Sequence, residues 1–359
     1  MKMSYFWGPL IGVLFVLSLF FSVFGHEGPL VTAVYAIDLV VAAVGFVYIV
    51  ISQQLFTYVL RRLLDATVSL WVIATVLFLL LRFLPGGPFD SDKALPPEVK
   101  ANIEAKYHLN DPLHVQYLNY MGGLIQGDFG ESYKYLGRSV SDIIADTFPV
   151  SFQLGVYALL VSFILGIPLG VWAAAKHNSW QDSTAMILAM SGVSLPSFLV
   201  AAIFILVFSF WLGVLPPALW DGPEYYIMPV LVLGIRPAAY IARLTRSSCL
   251  DVIHSDFVRT AKAKGLARSV ILFKHVLKNS LIPVLTYSGP LLATILSGTF
   301  IIETVFAVPG MGKHFILSVT NRDYPLIMGL TLLFGVMLIL ATLIVDLLYA
   351  VFDPRIRLK

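Results

Sequence analysis

The sequence has few charged residues and a single cysteine. Charged side chains make up 13% of its 359 residues, whereas 58% of the residues are apolar. Soluble globular domains carry about 25% charged residues, so this chain lacks the polar surface that a soluble fold needs. Cys249 alone forms neither an internal disulfide nor a thiolate metal cluster. The composition is typical of an integral membrane protein with several spans.

Eight apolar runs are long enough to cross a bilayer, which takes about 20 residues per helix. The first two form an N-terminal hairpin, and we do not expect a cleaved signal peptide because the nearest small-residue site lies about a dozen residues too far along. Pro196 lies inside the fifth run and predicts a kink there. The sequence therefore predicts an all-α membrane protein with about eight transmembrane helices, at residues 7–24, 31–51, 63–84, 150–175, 184–214, 227–244, 281–305 and 326–352.

The long loops differ in charge. Residues 243–278 contain eight basic and two acidic side chains, whereas residues 85–149 contain nine acidic and five basic ones. Because loops rich in lysine and arginine stay in the cytoplasm, we expect both termini to be cytoplasmic and residues 85–149 to lie outside. Helical patterns at 97–107 and 113–124 predict that this extracytoplasmic loop is folded.

The segment 249–281 is basic and predicts two short helices that are hinged at Gly265, since glycine readily adopts the left-handed conformation that ends a helix. Two interpretations remain open. The segment either fixes the topology through its charge alone, or it is a docking element that presents small residues for the close approach of a partner, namely Thr260, Ala261, Ala263 and Gly265.

The run Ala-Lys-Ala-Lys-Gly-Leu at 261–266 resembles the cytoplasmic loop of membrane subunits of ABC importers that depend on a binding protein. In the general family this loop reads Glu-Ala-Ala, three residues, Gly, nine residues and Ile-x-Leu-Pro. This chain has Arg-Thr-Ala at 259–261 and His-Val-Leu-Lys at 275–278. The departures match the peptide-transporter branch, and within it the first membrane subunit of oligopeptide permeases.

Further motifs extend the resemblance over residues 55–359. They are Tyr-Val-Leu-Arg-Arg-Leu-Leu at 58–64, Leu-Pro-Gly-Gly-Pro at 84–88, Gly-Asp-Phe-Gly-Glu-Ser at 127–132, Pro-Gly-Met-Gly at 309–312, Asn-Arg-Asp-Tyr-Pro at 321–325 and Asp-Pro-Arg at 353–355. The resemblance implies a six-helix, type I ABC importer permease core at 55–359. Residues 1–54 then form an additional transmembrane hairpin.

The resemblance implies a pore-forming subunit in the bacterial cytoplasmic (inner) membrane, which imports oligopeptides or dipeptides delivered by an extracytoplasmic substrate-binding protein. The implied partners are a second homologous permease subunit and two ATPase subunits, which carry the ATP and Mg. No cofactor on this chain and no nucleic acid are implied. A permease of the same architecture for nickel, another metal chelate or glutathione remains an alternative.

The resemblance also assigns residues. The ATPase-coupling loop comprises Arg259, Thr260, Ala261, Lys262, Ala263, Lys264, Gly265, Leu266, Arg268 and His275. Candidate contacts of the binding protein are Asp128, Glu131, Asn321, Arg322 and Asp323, and candidate pore or gate residues are Arg236 and Glu303. Arg236 precedes Pro237 in the middle of the sixth span, where it either faces the pore or has a structural role.

The sequence fits other classes of membrane protein poorly. The sequence has no Gly-x4-Gly-Lys-Ser/Thr phosphate loop, so the chain is not predicted to be an ATPase. An ion-driven secondary transporter needs ionisable groups near mid-membrane, and the candidates are only Asp38, Arg236 and Asp346. We interpret the two aspartates as groups that bond one helix to another. No His-Glu-x-x-His pattern or other metal site is present.

Overall fold

The computed structural model describes residues 56–84, 87–89, 97–296 and 300–352, and the predicted hairpin at 1–54 lies outside these ranges. The described residues are helical apart from loops and one antiparallel bridge between Glu131 and Ser139. In chain order the helices are α1 (Phe56–Phe83), α2 (Pro97–Lys106), α3 (Leu113–Ile125), α4 (Val140–Ala175), α5 (Trp180–Ser194), α6 (Ser197–Phe204) with its π-helical extension Ile205–Trp211, α7 (Pro223–Ile253), α8 (Asp256–Ala263), α9 (268–280), α10 (Ile282–Leu296), α11 (Phe300–Val305), α12 (Met311–Thr320) and α13 (Tyr324–Phe352).

Four of the described helices are long and apolar enough to cross a membrane, at Leu60–Phe83, Val140–Ala175, Pro223–Ile253 and Tyr324–Asp346. The pair α5 and α6 adds a fifth if it counts as one span. The chain is therefore an all-helical membrane protein with four or five apolar spans in the described residues. This confirms the predicted fold class, and it does not confirm the count of eight. The two helices predicted inside the loop 85–149 are present as α2 and α3.

Four predicted spans differ from the structure. The sixth, predicted at 227–244, lies within a helix over Pro223–Ile253, and the seventh, predicted at 281–305, falls on two helices, Ile282–Leu296 and Phe300–Val305. The fifth was expected to be kinked at Pro196, whereas α5 and α6 meet at 105°. Pro196 has no N–H to continue the helix, and Leu195 before it is held in an extended conformation, with φ −76° and ψ 133°. The fourth span begins at Val140 instead of Val150, because the side chain of Ser139 and that of Asp142 cap the helix reciprocally.

Helices α4 and α7 pack backbone to backbone. A methyl group on Gly166 would lie 2.6 Å from the carbonyl oxygen of Ala238, and one on Gly170 would lie 2.4 Å from that of Ala242. Small residues at four-residue spacing allow such close approach between membrane helices. This pair forms the most extensive helix contact among the described residues.

The chain divides into two compact units. Among the described residues, the first comprises 56–69 and 346–352, and the second lies within 70–345. In the first unit, Arg62 Nη2 lies 2.5 Å from Asp346 Oδ2, so Asp346 does bond one helix to another as predicted. Asp38 lies outside the described residues. All the features described below belong to the second unit.

Candidate functional site

The segment between α7 and α10 consists of two short helices with different surroundings on their two faces. Val258 and Ala261 of α8 are buried in a cluster with Val171, Cys249 and Val276. The opposite face is exposed and carries most of the predicted coupling residues, namely Arg259, Thr260, Lys262, Ala263, Lys264, Gly265 and Leu266. His275 is half-buried in α9, and Arg268 begins that helix. The segment is therefore a folded platform whose basic face is open.

Gly265 ends α8 in the left-handed conformation, with φ +74°. No atom lies within 4 Å of the position that a β-carbon would occupy. A larger side chain at this position would therefore strain the backbone without meeting a neighbour. The two short helices and the glycine between them agree with the sequence prediction.

Three large apolar side chains of the same segment are exposed, and the sequence analysis identified only Leu266 among them. Phe257 is 46% exposed, Leu266 40% and Phe273 63%. Large exposed apolar groups that lie close together mark interaction surfaces. A signal was present in the sequence for one of them, because Phe257 follows the polar run His-Ser-Asp at 254–256.

A cavity of about 490 Å³ opens beside α7. Arg236, Tyr240 and Arg243 line it from α7, and Tyr287 and Thr294 line it from α10. The rings of Tyr240 and Tyr287 lie 4.3 Å apart between centroids, and the Arg243 guanidinium carbon lies 5.1 Å from the Tyr240 ring. Arg236 therefore borders an open cavity. Its predicted role in the pore stays a prediction.

Glu303 lies elsewhere and is 1% exposed. Its carboxylate accepts hydrogen bonds from Ser151 Oγ at 2.8 Å and from the backbone N–H of Gly312 at 2.7 Å. Ser151 Oγ in turn accepts one from the backbone N–H of Met311 at 2.8 Å. This buried network joins α4, α11 and the start of α12. Glu303 is not among the residues that line the cavity beside α7.

Asp323 is also fully buried. Its carboxylate accepts hydrogen bonds from the hydroxyl of Ser132 and from the backbone N–H of Tyr133, the latter at 3.1 Å. The preceding Asn321 and Arg322 are half-buried, and Arg322 has a left-handed backbone with φ +54°. Of these three predicted contact residues, Asp323 therefore faces the interior of the chain.

The other predicted contacts, Asp128 and Glu131, border a second cavity of about 370 Å³ between α1, α3 and residues 128–133. Arg82 Nη1 and the hydroxyl of Tyr120 are buried there without a hydrogen-bond partner among the described residues. Burial raises the pKa of Tyr133 to about 12, so its phenol stays protonated at neutral pH. Of the two exposed carboxylates on the border, that of Glu131 is paired with Lys106 at 3.2 Å, and an oxygen of Asp128 accepts a hydrogen bond from the backbone N–H of Gly130.

An ion pair between α5 and α7 was missed in the sequence analysis. Asp182 is 4% exposed and accepts from Arg246 through both oxygens, with distances of 2.5 Å to Nε and 2.6 Å to Nη2. His177 Nδ1 lies 3.4 Å from the same carboxylate. The two residues are 64 positions apart, so no local pattern in the sequence indicates the pair.

Comparison with known proteins now identifies the family. The model described as "Binding-protein-dependent transport system inner membrane component" matches residues 166–358, and the model for its N-terminal part matches residues 55–155. The oligopeptide transport system permease protein OppB of Haemophilus influenzae is 48% identical over 84% of this chain and 99% of its own length. The dipeptide transport system permease protein DppB of Bacillus subtilis is 45% identical over 84% of this chain and 98% of its own length.

Among solved structures, a chain of the MetNI methionine ABC transporter in an inward-facing conformation aligns with a TM-score of 0.49 and 15% identity, over 59% of this chain and 96% of its own. The match to the first family model covers more than half of this chain. The chain belongs to the family of inner-membrane components of binding-protein-dependent transport systems, and it is accordingly a multi-pass inner-membrane permease component that is not itself the ATPase.

Proposed function

We propose that this chain is the pore-forming subunit of an importer for oligopeptides or dipeptides. The observation that carries the proposal is its 45–48% identity to permeases named for oligopeptide and dipeptide transport, over 98–99% of their length. Because the chain belongs to a binding-protein-dependent transport family, the alternative of an ion-driven secondary transporter is set aside. Nickel, another metal chelate or glutathione remains the alternative cargo.

The proposed architecture has about eight transmembrane helices. Residues 55–359 form the six-helix, type I permease core, and residues 1–54 form an additional hairpin. The four or five described spans support this count, and so do the shorter apolar α10 and the apolar runs at 7–24 and 31–51. The basic α7–α10 segment is cytoplasmic together with both termini, and the loop 85–149 lies on the outer side.

The proposed complex contains this subunit, a second homologous permease subunit, two ATPase subunits that bind ATP and Mg, and a binding protein. The two permease subunits enclose the pore. ATPase and binding-protein partners follow from membership in an ABC permease family. We propose the number of these partner subunits and their positions in the complex.

In this proposal, α8 and Gly265 dock on an ATPase subunit. Lys262 of α8 and Lys264, which follows it, are exposed, and so are the aromatic side chains of Phe257 and Phe273 in the same segment. Burial of exposed aromatic groups supplies affinity, while the lysines select an acidic or carbonyl-lined partner surface. ATP binding closes the ATPase subunits, moves α8, and so favours one of two conformations of the pore.

The binding protein, in this proposal, contacts the outer cavity. Asp128 and Glu131 on its border are exposed and supply carboxylates that a partner can bond. The buried carboxylate of Asp323 holds the neighbouring loop in place by accepting hydrogen bonds from Ser132 and Tyr133. Its role is therefore to position the contact residues.

Reconstitution of the complete complex in proteoliposomes tests the cargo. We expect ATP-dependent uptake of a labelled tripeptide in the presence of the binding protein, and we expect unlabelled peptides to compete for it. Glutathione and a nickel chelate serve as competitors in parallel. ATP-dependent uptake of either of these, without uptake of peptide, would contradict the assignment.

Gly265→Val in the same vesicles tests the coupling role. A left-handed backbone costs a β-branched residue about 1–2 kcal/mol, and 1.4 kcal/mol changes an equilibrium about tenfold. We therefore expect peptide uptake per ATP hydrolysed to fall about tenfold while assembly is retained. Gly213→Val is the matched control, because Gly213 also has a positive φ, +62°, and open space at its β-carbon position. Normal uptake by Gly265→Val, or an equal loss in both variants, would refute the role.

A further inference from the structure

Three arginines on α7 differ in how their charge is balanced. Arg246 is bound by both oxygens of Asp182, at 2.5 Å and 2.6 Å. Within the described part of the chain, no carboxylate lies within ion-pair distance of Arg236 or Arg243. Both of these side chains are exposed. The positive charge of Arg246 is thus neutralised by a carboxylate of the same chain, whereas the guanidinium groups of Arg236 and Arg243 are available to bind another group.

Arg236 and Arg243 lie on the same face of α7. They are seven residues apart, which is two helical turns and a rise of about 10 Å. Tyr240 lies between them on this face, and all three residues line the cavity of about 490 Å³. The cavity therefore presents two guanidinium groups in succession along the axis of a membrane-spanning helix.

The surroundings of these arginines indicate a hydrated path. A charged group within a span faces the bundle interior or a water-filled cavity, since exposure to lipid is unfavourable. Among the described residues that line this cavity, none is acidic, and its uncharged polar members are Ser197, Tyr240, Tyr287 and Thr294. The rings of Tyr240 and Tyr287 are in contact at a tilt of 31°, and the Arg243 guanidinium lies against the Tyr240 ring. The cavity is therefore cationic, with an aromatic wall.

The chemistry of the arginines selects the ligand. A guanidinium group has a planar set of N–H donors that binds a carboxylate through two parallel hydrogen bonds. Every unmodified peptide ends in a carboxylate, and acidic peptides carry additional ones. The separation of about 10 Å is close to the length of three extended residues.

From this geometry we propose that Arg236 and Arg243 are two successive binding positions for the carboxylate groups of the transported peptide. The proposal rests on the peptide-import function proposed above and adds a specificity to it. This half of the pore binds anionic groups of the cargo, passes them from one arginine to the next, and favours acidic over amidated peptides.

Transport of three matched peptides tests this proposal. The complete complex is reconstituted in proteoliposomes, and uptake is measured for Ala-Glu-Ala, Ala-Gln-Ala and C-terminally amidated Ala-Gln-Ala. Each peptide is supplied at saturation of the binding protein, so that differences reflect the permease. For the wild type we expect the fastest uptake for the acidic peptide and the slowest for the amide.

Arg236→Gln with Arg243→Gln is expected to lower the ratio of acidic to amidated uptake about tenfold, the effect of one charge-assisted hydrogen bond. Each single variant should have an intermediate effect. Arg61→Gln removes an exposed arginine outside the cavity and is the matched control. A wild-type ratio in the double variant, or an equal change in Arg61→Gln, overturns the proposal.

Lysine variants keep the proposal testable if the glutamine variants fail to assemble. Arg236→Lys and Arg243→Lys retain the charge, and we expect them to keep the order of the three peptides with smaller differences. Loss of that order in an assembled lysine variant overturns the proposal. If the wild-type complex transports none of the peptides although the loaded binding protein stimulates ATP hydrolysis, the peptide function itself is wrong and the proposal fails with it.

Discussion

Two arginines on α7 line an open cavity without an acidic partner, whereas the third, Arg246, binds the buried carboxylate of Asp182. Glu303 is also buried, and its oxygens accept hydrogen bonds from two neutral groups, Ser151 and Gly312. A charge in a membrane span costs about 2.5–3.5 kcal/mol on insertion scales. We therefore assign the side chains that are bonded within the chain to the fold, and the two arginines without a carboxylate to the path of solvent and cargo.

Removal of Asp182 should produce the largest effect on stability. Asp182→Ala leaves Arg246 without its carboxylate, and breaking a buried pair costs about 3 kcal/mol at the lower end of the usual range, which applies because Arg246 is 24% exposed. We expect a clear drop in the apparent unfolding temperature in detergent. The double variant Asp182→Ala with Arg246→Met should recover most of the loss. An unchanged unfolding temperature for Asp182→Ala would mean that the Asp182–Arg246 pair does not stabilise the fold, and Arg246 would then not differ from Arg236 and Arg243.

Glu303→Ala should produce the next largest loss of stability. It leaves the buried N–H of Gly312 without an acceptor, and an unsatisfied buried group costs about 1–3 kcal/mol. Glu303→Gln keeps one acceptor oxygen and should cost less. The same unfolding assay applies to both variants. If Glu303→Ala is as stable as the wild type but changes peptide uptake, Glu303 acts in the pore instead of in the fold.

Arg243→Gln should have the smallest effect on stability, within about 0.5 kcal/mol of the wild type, because the side chain is exposed and has no carboxylate to leave behind. Arg246→Gln is the comparison, since it leaves Asp182 buried and unpaired. The unfolding temperatures of the two variants should therefore separate. Equal losses would mean that Arg243 has a structural partner.

Local features of the fold could be predicted from the sequence. The left-handed Gly265 between two short helices and the helices α2 and α3 follow from residue type and periodicity. The sequence left open whether Arg236 faces the pore or has a structural role, and its place in the pore stays a prediction. Its relation to Arg243 was readable from the spacing of seven residues, which places two side chains on one helical face.

Features that depend on contacts through space could not be predicted. The pairs Asp182–Arg246 and Ser151–Glu303 join residues 64 and 152 positions apart. A proline in a membrane helix does not always end the helix, because the backbone carbonyl that loses its hydrogen bond can accept one from another group. Pro149 and Pro237 lie within continuous helices, whereas Pro196 separates two helices that meet at 105°.

Gly166 and Gly170 bring the backbones of α4 and α7 together, so we expect the two helices to tilt together if α8 moves as proposed. The end of α7 at Ile253 is 10 residues from Arg243 and 17 from Arg236. For a tilt about that end, Arg236 travels about 1.7 times as far as Arg243, since distance along a helix is proportional to residue number. A single rotation would therefore carry the two guanidinium groups through arcs of unequal length.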